Sequence, residues 1–217
     1  LALGGTYREE FFQTDLMRIQ ALYYDKGFVS VRVEQPIVRL ASDRKSIYIT
    51  IPVTEGVAYS VGDVMFGGDF RLSGLPEDEQ VTEESLKSFI TLQKGEVFSR
   101  TKLFEDIQRL TNAYKNRGYA YANVIPNSGT READRLVDIE MVVEPGDPVY
   151  VERVDIRGNT RTRDKVIRRE TRVYEGDLYA EYAIEATRAR IFQLGYFETV
   201  EVTTLPGSSD EQIRVQI

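Results

Sequence analysis

A string of residues at the end of one alternating apolar run returns 90 positions later, and this return constrains the fold more than any other feature of the chain. Val53-Thr54-Glu55-Gly56 comes back as Val143-Glu144-Pro145-Gly146, and the same shift carries Val61, Val64, Phe66 and Gly68 onto Val151, Val154, Ile156 and Gly158. Self-similarity at a fixed period is the signature of tandem structural units. Length alone would suggest one or two domains for 217 residues, so the repeat overrides that expectation.

A second signature occurs three times. A helical stretch closes on a glycine followed by an aromatic residue, at Gly27-Phe28, Gly118-Tyr119 and Gly195-Tyr196. Glycine at the position after a helix takes positive φ without a Cβ penalty, so Gly27, Gly118 and Gly195 are read as helix-closing residues. The preceding stretches carry apolar stripes at helical spacing: Leu16, Ile19 and Tyr23; Leu103, Ile107, Leu110 and Tyr114; Ile184, Thr187, Ile191 and Leu194. A third signature pairs Lys94-Gly95-Glu96-Val97-Phe98 with Glu175-Gly176-Asp177-Leu178-Tyr179.

Strands follow each closing glycine. Val29-Ser30-Val31-Arg32-Val33-Glu34 alternates, as do the later runs Ile47 to Val53, Val137 to Val143 and Ile213 to Ile217. Beyond Gly56 and Gly146 lie opening strands at Tyr59–Phe66 and Val149–Ile156, each followed by a shorter helix, at Glu83–Thr91 with Thr82 as N-cap and at Arg163–Glu170. The fold class is therefore α+β: tandem β-α-α-β-β units, each with two helices on a small three-stranded mixed sheet. The units are 1–56, 57–146 and 147–217. The first lacks an opening strand and the third stops inside its last strand, so the chain reads as a fragment cut at both ends. Ser73-Gly74-Leu75-Pro76 is expected to be a surface loop.

Composition removes whole classes of function. The chain has no cysteine and no histidine, which deletes thiolate nucleophiles, disulfides, the commonest general base and the commonest zinc ligand. A net charge of −7 opposes nucleic-acid binding, which depends on a basic face. No run approaches the ~18 apolar residues of a membrane-spanning helix. The acidic groups Glu77-Asp78-Glu79 and Glu83-Glu84 fit a solvated loop and a helix N-terminus better than a cation site. No catalytic residue, metal or cofactor is assigned, and the chain is read as a binding protein rather than an enzyme.

With this order of elements the chain resembles the POTRA domain over essentially its whole length. Tyr24–Phe28, Ile47–Gly56, Tyr114–Tyr121, Val166–Thr171 and Gly195–Val200 resemble the last three such domains, the third to fifth of five, in the BamA family of outer-membrane assembly proteins. The resemblance implies an arm on the periplasmic side of the outer membrane of a Gram-negative bacterium. It further implies unfolded outer-membrane protein clients, accessory assembly lipoproteins resembling BamD, and a C-terminal membrane β-barrel in the same full-length chain. The alternatives are a POTRA scaffold of a secretion or TamA-like transporter and a purely structural assembly domain without client binding.

The resemblance also suggests sites. Clients would add by β-augmentation to the strand after each closing glycine, which in the first unit comprises Phe28, Val29, Ser30, Val31, Arg32, Val33 and Glu34. Arg32 and Glu34 serve either that contact or the protection of the edge against uncontrolled pairing. Arg168, Arg169 and Glu175 form the expected lipoprotein contact, with a solvated helix end and turn as the plainer reading.

Overall fold

The computed structural model describes residues 9–42, 46–72 and 80–217. The loop expected at Ser73–Pro76 and the acidic run Glu77–Glu79 lie outside the described residues.

Among the described residues the first element is α1 (Glu9–Tyr24). Its end follows from Gly27, which adopts φ 86°. The amide of Phe28 donates to the carbonyl of Tyr23 at 3.1 Å and that of Gly27 to Tyr24 at 3.2 Å, the paired bonds of a Schellman motif. The chain does not then enter a strand directly. Val29 N–H donates back to Gly27 and Val31 N–H to Phe28, so Phe28–Val31 is a turn, and pairing begins only at β1 (Arg32–Val33). The expected strand Phe28–Glu34 thus shrinks to two paired residues. Pro36, which has no N–H, separates β1 from β2 (Ile37–Leu40); Pro52 likewise separates β3 (Ile47–Thr50) from β4 (Val53–Thr54). Two short antiparallel ladders result, β1 with β4 and β2 with β3. They replace the three-stranded sheet expected of a full unit. Val38, Leu40, Ile47 and Ile49 are exposed here, whereas Val137 and Ile139, the repeat counterparts of Ile47 and Ile49, are buried.

The second repeat contains β5 (Ser60–Gly68), α2 (Glu83–Lys87), α3 (Arg100–Lys115), β6 (Asn123–Arg131) and β7 (Leu136–Glu144), with sheet order β5-β7-β6. Thr82 caps α2 as expected: its hydroxyl accepts from Ser85 N–H at 3.2 Å while Thr82 N–H donates to the Ser85 hydroxyl at 3.1 Å, a reciprocal capping box. The helix is shorter than its pattern suggests, ending at Lys87. Strand β7 alternates as read, with Val137, Ile139, Met141 and Val143 all buried.

The third repeat runs β8 (Tyr150–Asp155), α4 (Asp164–Arg168), α5 (Glu181–Gln193), β9 (Thr203–Pro206) and β10 (Gln212–Gln216). Its sheet is mixed: β10 lies in the middle, parallel to β8 and antiparallel to β9. Ile213 and Val215 from β10 pack with Val149, Val151, Val154, Val173, Tyr179, Ala183 and Ile184. Among the described residues no helix is long and apolar enough to cross a membrane.

A polar residue on the second helix is buried in both of these repeats. The carboxylate of Asp106 on α3 accepts from Thr91 N–H, Leu92 N–H and the Thr91 hydroxyl, and Thr187 on α5 accepts from Arg172 N–H at 2.8 Å. Both side chains accept from main-chain amides in the segment that follows the short helix, which would otherwise lack hydrogen bonds on burial.

The chain separates into two compact units. One takes in residues through Met65 with Ile90–Asp106 and Pro126–Glu140; the other takes in Phe66–Phe89, Ile107–Ile125 and Met141–Ile217. The division passes through the second repeat, and the junction between one repeat and the next falls inside a unit in each case.

Candidate polypeptide-binding edges and repeat junctions

A three-stranded sheet has two edges with unpaired main-chain groups. On the opening strands these groups are taken up from within the repeat. Val61 N–H donates to Glu96 O at 2.8 Å, Gly95 N–H to Val61 O at 2.8 Å, and Phe98 N–H to Tyr59 O at 3.0 Å. The third repeat repeats the pattern, with Val151 N–H to Asp177 O at 2.8 Å, Gly176 N–H to Val151 O at 2.7 Å and Tyr179 N–H to Val149 O at 2.9 Å. This explains the Lys94–Phe98 and Glu175–Tyr179 signature. The glycine makes the turn, the next residues act as a short extra strand, and Phe98 or Tyr179 is buried beneath it. Burial and a hydrogen bond to Glu181 both raise the Tyr179 hydroxyl above its ordinary pKa. What stays open in each sheet is the edge of β6 and of β9, the strands after the closing glycines.

In the first repeat Val31 is buried and Arg32 and Glu34 are exposed on either side of Val33. Of the seven residues from Phe28 to Glu34, only Arg32 and Val33 form ladder pairs, with Thr54 and Val53.

The structure brings Arg168 and Glu175 together on a single residue. Val154 N–H donates to Glu175 Oε1 at 3.0 Å, and an Arg168 guanidinium nitrogen donates to Val154 O at 3.3 Å. The register shift between Ile213 and Arg214 changes which β8 residue faces outward, and the two side chains stand in for a neighbouring strand where the 175–179 segment no longer reaches. Arg169 turns elsewhere, to Glu170 at 3.3 Å, and Glu170 also pairs with Arg190 at 2.8 Å.

The junctions between repeats share a two-part joint that sequence reasoning missed. Tyr59 N–H donates to Gly27 O at 2.9 Å, and Val149 N–H donates to Gly118 O at 2.9 Å. Two residues before each closing glycine, a side chain reaches the next repeat's second helix. Asp25 accepts from Thr101 N–H at 2.9 Å, from the Thr101 hydroxyl at 2.8 Å and from the Ser99 hydroxyl at 2.8 Å; Asn116 Oδ1 accepts from Tyr182 N–H at 2.8 Å. Helix α5 has Ala180 at its N-cap, which offers no side-chain acceptor, so Asn116 takes over a role usually filled within the helix's own sequence. Desolvation opposes the charge of Asp25, but the bonds from Thr101 and Ser99 outweigh it and hold the carboxyl below its ordinary pKa. The available signal was the polar residue two places before Gly27 and Gly118.

The repeated βααββ unit, one sealed sheet edge and a joint at the closing turn define a chain of small tandem α+β domains. The POTRA family, described as a surface antigen variable number repeat, matches residues 1–56, 60–146 and 149–217, and this chain belongs to it. It is 27% identical over 210 residues to the outer membrane protein assembly factor BamA of Neisseria meningitidis serogroup B, covering 95% of this chain and 25% of the relative. It is 24% identical over 217 residues to BamA of Nitratidesulfovibrio vulgaris, covering 98% of this chain and 26% of the relative. The chain therefore spans about a quarter of the length of these relatives. Among solved structures, the POTRA3-5 crystal structure of Haemophilus influenzae BamA matches with a TM-score of 0.83 and 25% identity, over 98% of this chain and 81% of that one.

Proposed function

We propose that this chain is the periplasmic POTRA arm of an outer-membrane β-barrel assembly protein of a Gram-negative bacterium, with 1–56, 57–146 and 147–217 as its third, fourth and fifth domains. The arm receives unfolded outer-membrane proteins as extended strands and docks accessory lipoproteins, and the remaining length of the full protein includes a C-terminal membrane β-barrel. One observation carries the client reading: the second and third repeats each seal one sheet edge with their own inter-helix segment and leave the other edge unpaired. Main-chain hydrogen bonding at such an edge supplies affinity without demanding a particular client sequence, which suits a factor that handles many substrates.

The observed turn moves the client window. Val31, the natural site for a disabling proline, donates its N–H to Phe28 O inside a turn, so a proline there tests folding rather than binding. Strand β6 is the better place. A photocrosslinker on β6 should capture an unfolded outer-membrane protein, and Ser128→Pro should lower the yield severalfold with the circular dichroism unchanged. Undiminished crosslinking in the proline variant would rule out strand addition at β6.

The lipoprotein contact is assigned to Arg168 and Glu175, with Arg169 beside them. Their convergence on Val154 supports a shared surface, on which a partner resembling BamD would present opposite charges.

A further inference from the structure

The edge strand that follows each closing glycine has a proline within it or directly before it. Pro36, Pro126 and Pro206 follow their closing glycines by 8 to 11 residues, whereas the sealed opening strands β5 and β8 contain none.

The register shows which main-chain groups face outward in the first and third repeats. In an antiparallel ladder, successive residues direct their main-chain groups alternately toward and away from the partner. In the third repeat Gly207 N–H donates to Gln212 O at 2.9 Å, and Leu205 lies opposite Arg214. Leu205 and Thr203 therefore face β10, and Thr204 and Pro206 face the open side. The carbonyl of Pro206 is itself occupied, accepting from Arg214 Nε at 3.1 Å. Thr204 is left as the only residue of β9 with both outward groups free for an incoming chain.

In the first repeat Ala41 N–H donates to Ser46 O at 2.8 Å, in register with Ile37 opposite Thr50. Arg39 and Ile37 thus face β3, and Val38 and Leu40 face out; Pro36, which has no N–H, stands at the break between β1 and β2, where the register slips by one residue, and ends that edge. Pro126 lies inside β6, where a proline is accommodated only with its nitrogen away from the partner strand. Val124, Pro126, Ser128 and Thr130 consequently form the outward set of β6.

We infer that Pro36, Pro126 and Pro206 are built-in stops that set where an extended polypeptide can add. They confine addition to the segment after the proline on the first two repeats, at Val38 and Leu40 and at Ser128 and Thr130, and they nearly close the third. The inference deepens the strand-addition reading and rests on it for the client, while the stops also act against edge-to-edge pairing between copies of the chain.

The test uses the 217-residue chain and a short peptide of alternating Val and Thr. Amide hydrogen exchange should slow at least severalfold at Ser128 and Thr130 on adding the peptide, with Val124 unaffected. In Pro126→Thr the protected stretch should extend to residue 126 and Val124. Protection of Val124 in the parent, or an unchanged footprint in the variant, overturns the proposal. If neither protein shows a footprint, the strand-addition reading fails and the stops are judged by self-association. P36T/P126T/P206T should then sediment as dimers or larger species at concentrations where the parent is monomeric. A natively folded triple variant that stays monomeric refutes the stops independently.

Discussion

Replacing the closing glycines by alanine separates the two reasons why glycine stands there. Gly27 and Gly195 both have positive φ, 86° and 69°, so either substitution carries the left-handed penalty of about 1–2 kcal/mol for an L-residue. Lower entropy of the unfolded chain offsets about 0.4–1 kcal/mol of it. Around Gly195 no atom lies within 4 Å of the position a Cβ would take, so Gly195→Ala should cost roughly 1 kcal/mol in all. At Gly27 the added Cβ would land on the main-chain oxygen of Tyr59, with Tyr59 N also only 3.1 Å away. These are backbone atoms held by two hydrogen bonds, Tyr59 N–H to Gly27 O and Phe98 N–H to Tyr59 O, so relief requires moving the opening strand of the second repeat. Overpacking of about 1–3 kcal/mol and a weakened hydrogen bond of about 1 kcal/mol bring Gly27→Ala to about 3–5 kcal/mol. Gly118→Ala should fall between, because its Cβ would meet the Leu178 side chain at 2.6–2.8 Å, and a side chain can rotate away. Urea unfolding followed by circular dichroism gives the order, and exchange of the Tyr59 amide gives the place: protection should collapse in Gly27→Ala and persist in Gly195→Ala. Equal costs for Gly27 and Gly195, or intact Tyr59 protection in Gly27→Ala, would refute the argument that the next repeat's backbone selects glycine.

Asp25→Ala should destabilise by about 1 kcal/mol, as for loss of an N-cap, and Asp25→Asn by less because one acceptor remains; the Thr101 amide exchange rate reports both. The folded pKa of Asp25 is depressed, so its contribution is present above the unfolded carboxyl pKa and is lost as pH falls through the folded one, a slope that Asp25→Asn should remove from an acid titration. Ile139 is fully buried in the central strand, and Ile139→Ala should cost about 2–5 kcal/mol in urea unfolding. Glu175→Gln keeps the acceptor for Val154 N–H while removing the charge, so lipoprotein affinity should drop with the melting temperature unchanged; Glu175→Lys should lower both, and full affinity in the glutamine variant would dismiss a charge-based contact.

Features set by neighbours in the chain could be read before any coordinates. The stripe through Leu103, Leu110 and Tyr114, the Thr82 cap, the closing role of Gly27 and Gly118 and the alternation of Val137 to Val143 all depend on helical or strand periodicity and on local main-chain conformation, which a few consecutive residues determine. The same local reading failed at Phe28–Val31, where alternation is present but hydrogen bonds back to Gly27 and Phe28 make a turn. It also made the first repeat's strands continuous, although Pro36 and Pro52 break both. Tertiary structure alone decided that residues 95–98 and 176–179 seal an edge, that Asp25 and Asn116 cap a helix in the next repeat, and that Arg168 and Glu175 meet at Val154. Each of these joins residues 14 or more positions apart, through one to three hydrogen bonds whose donors and acceptors are common in any sequence. No periodicity marks them, and they exist only once packing has fixed which backbone groups would otherwise be left without a partner.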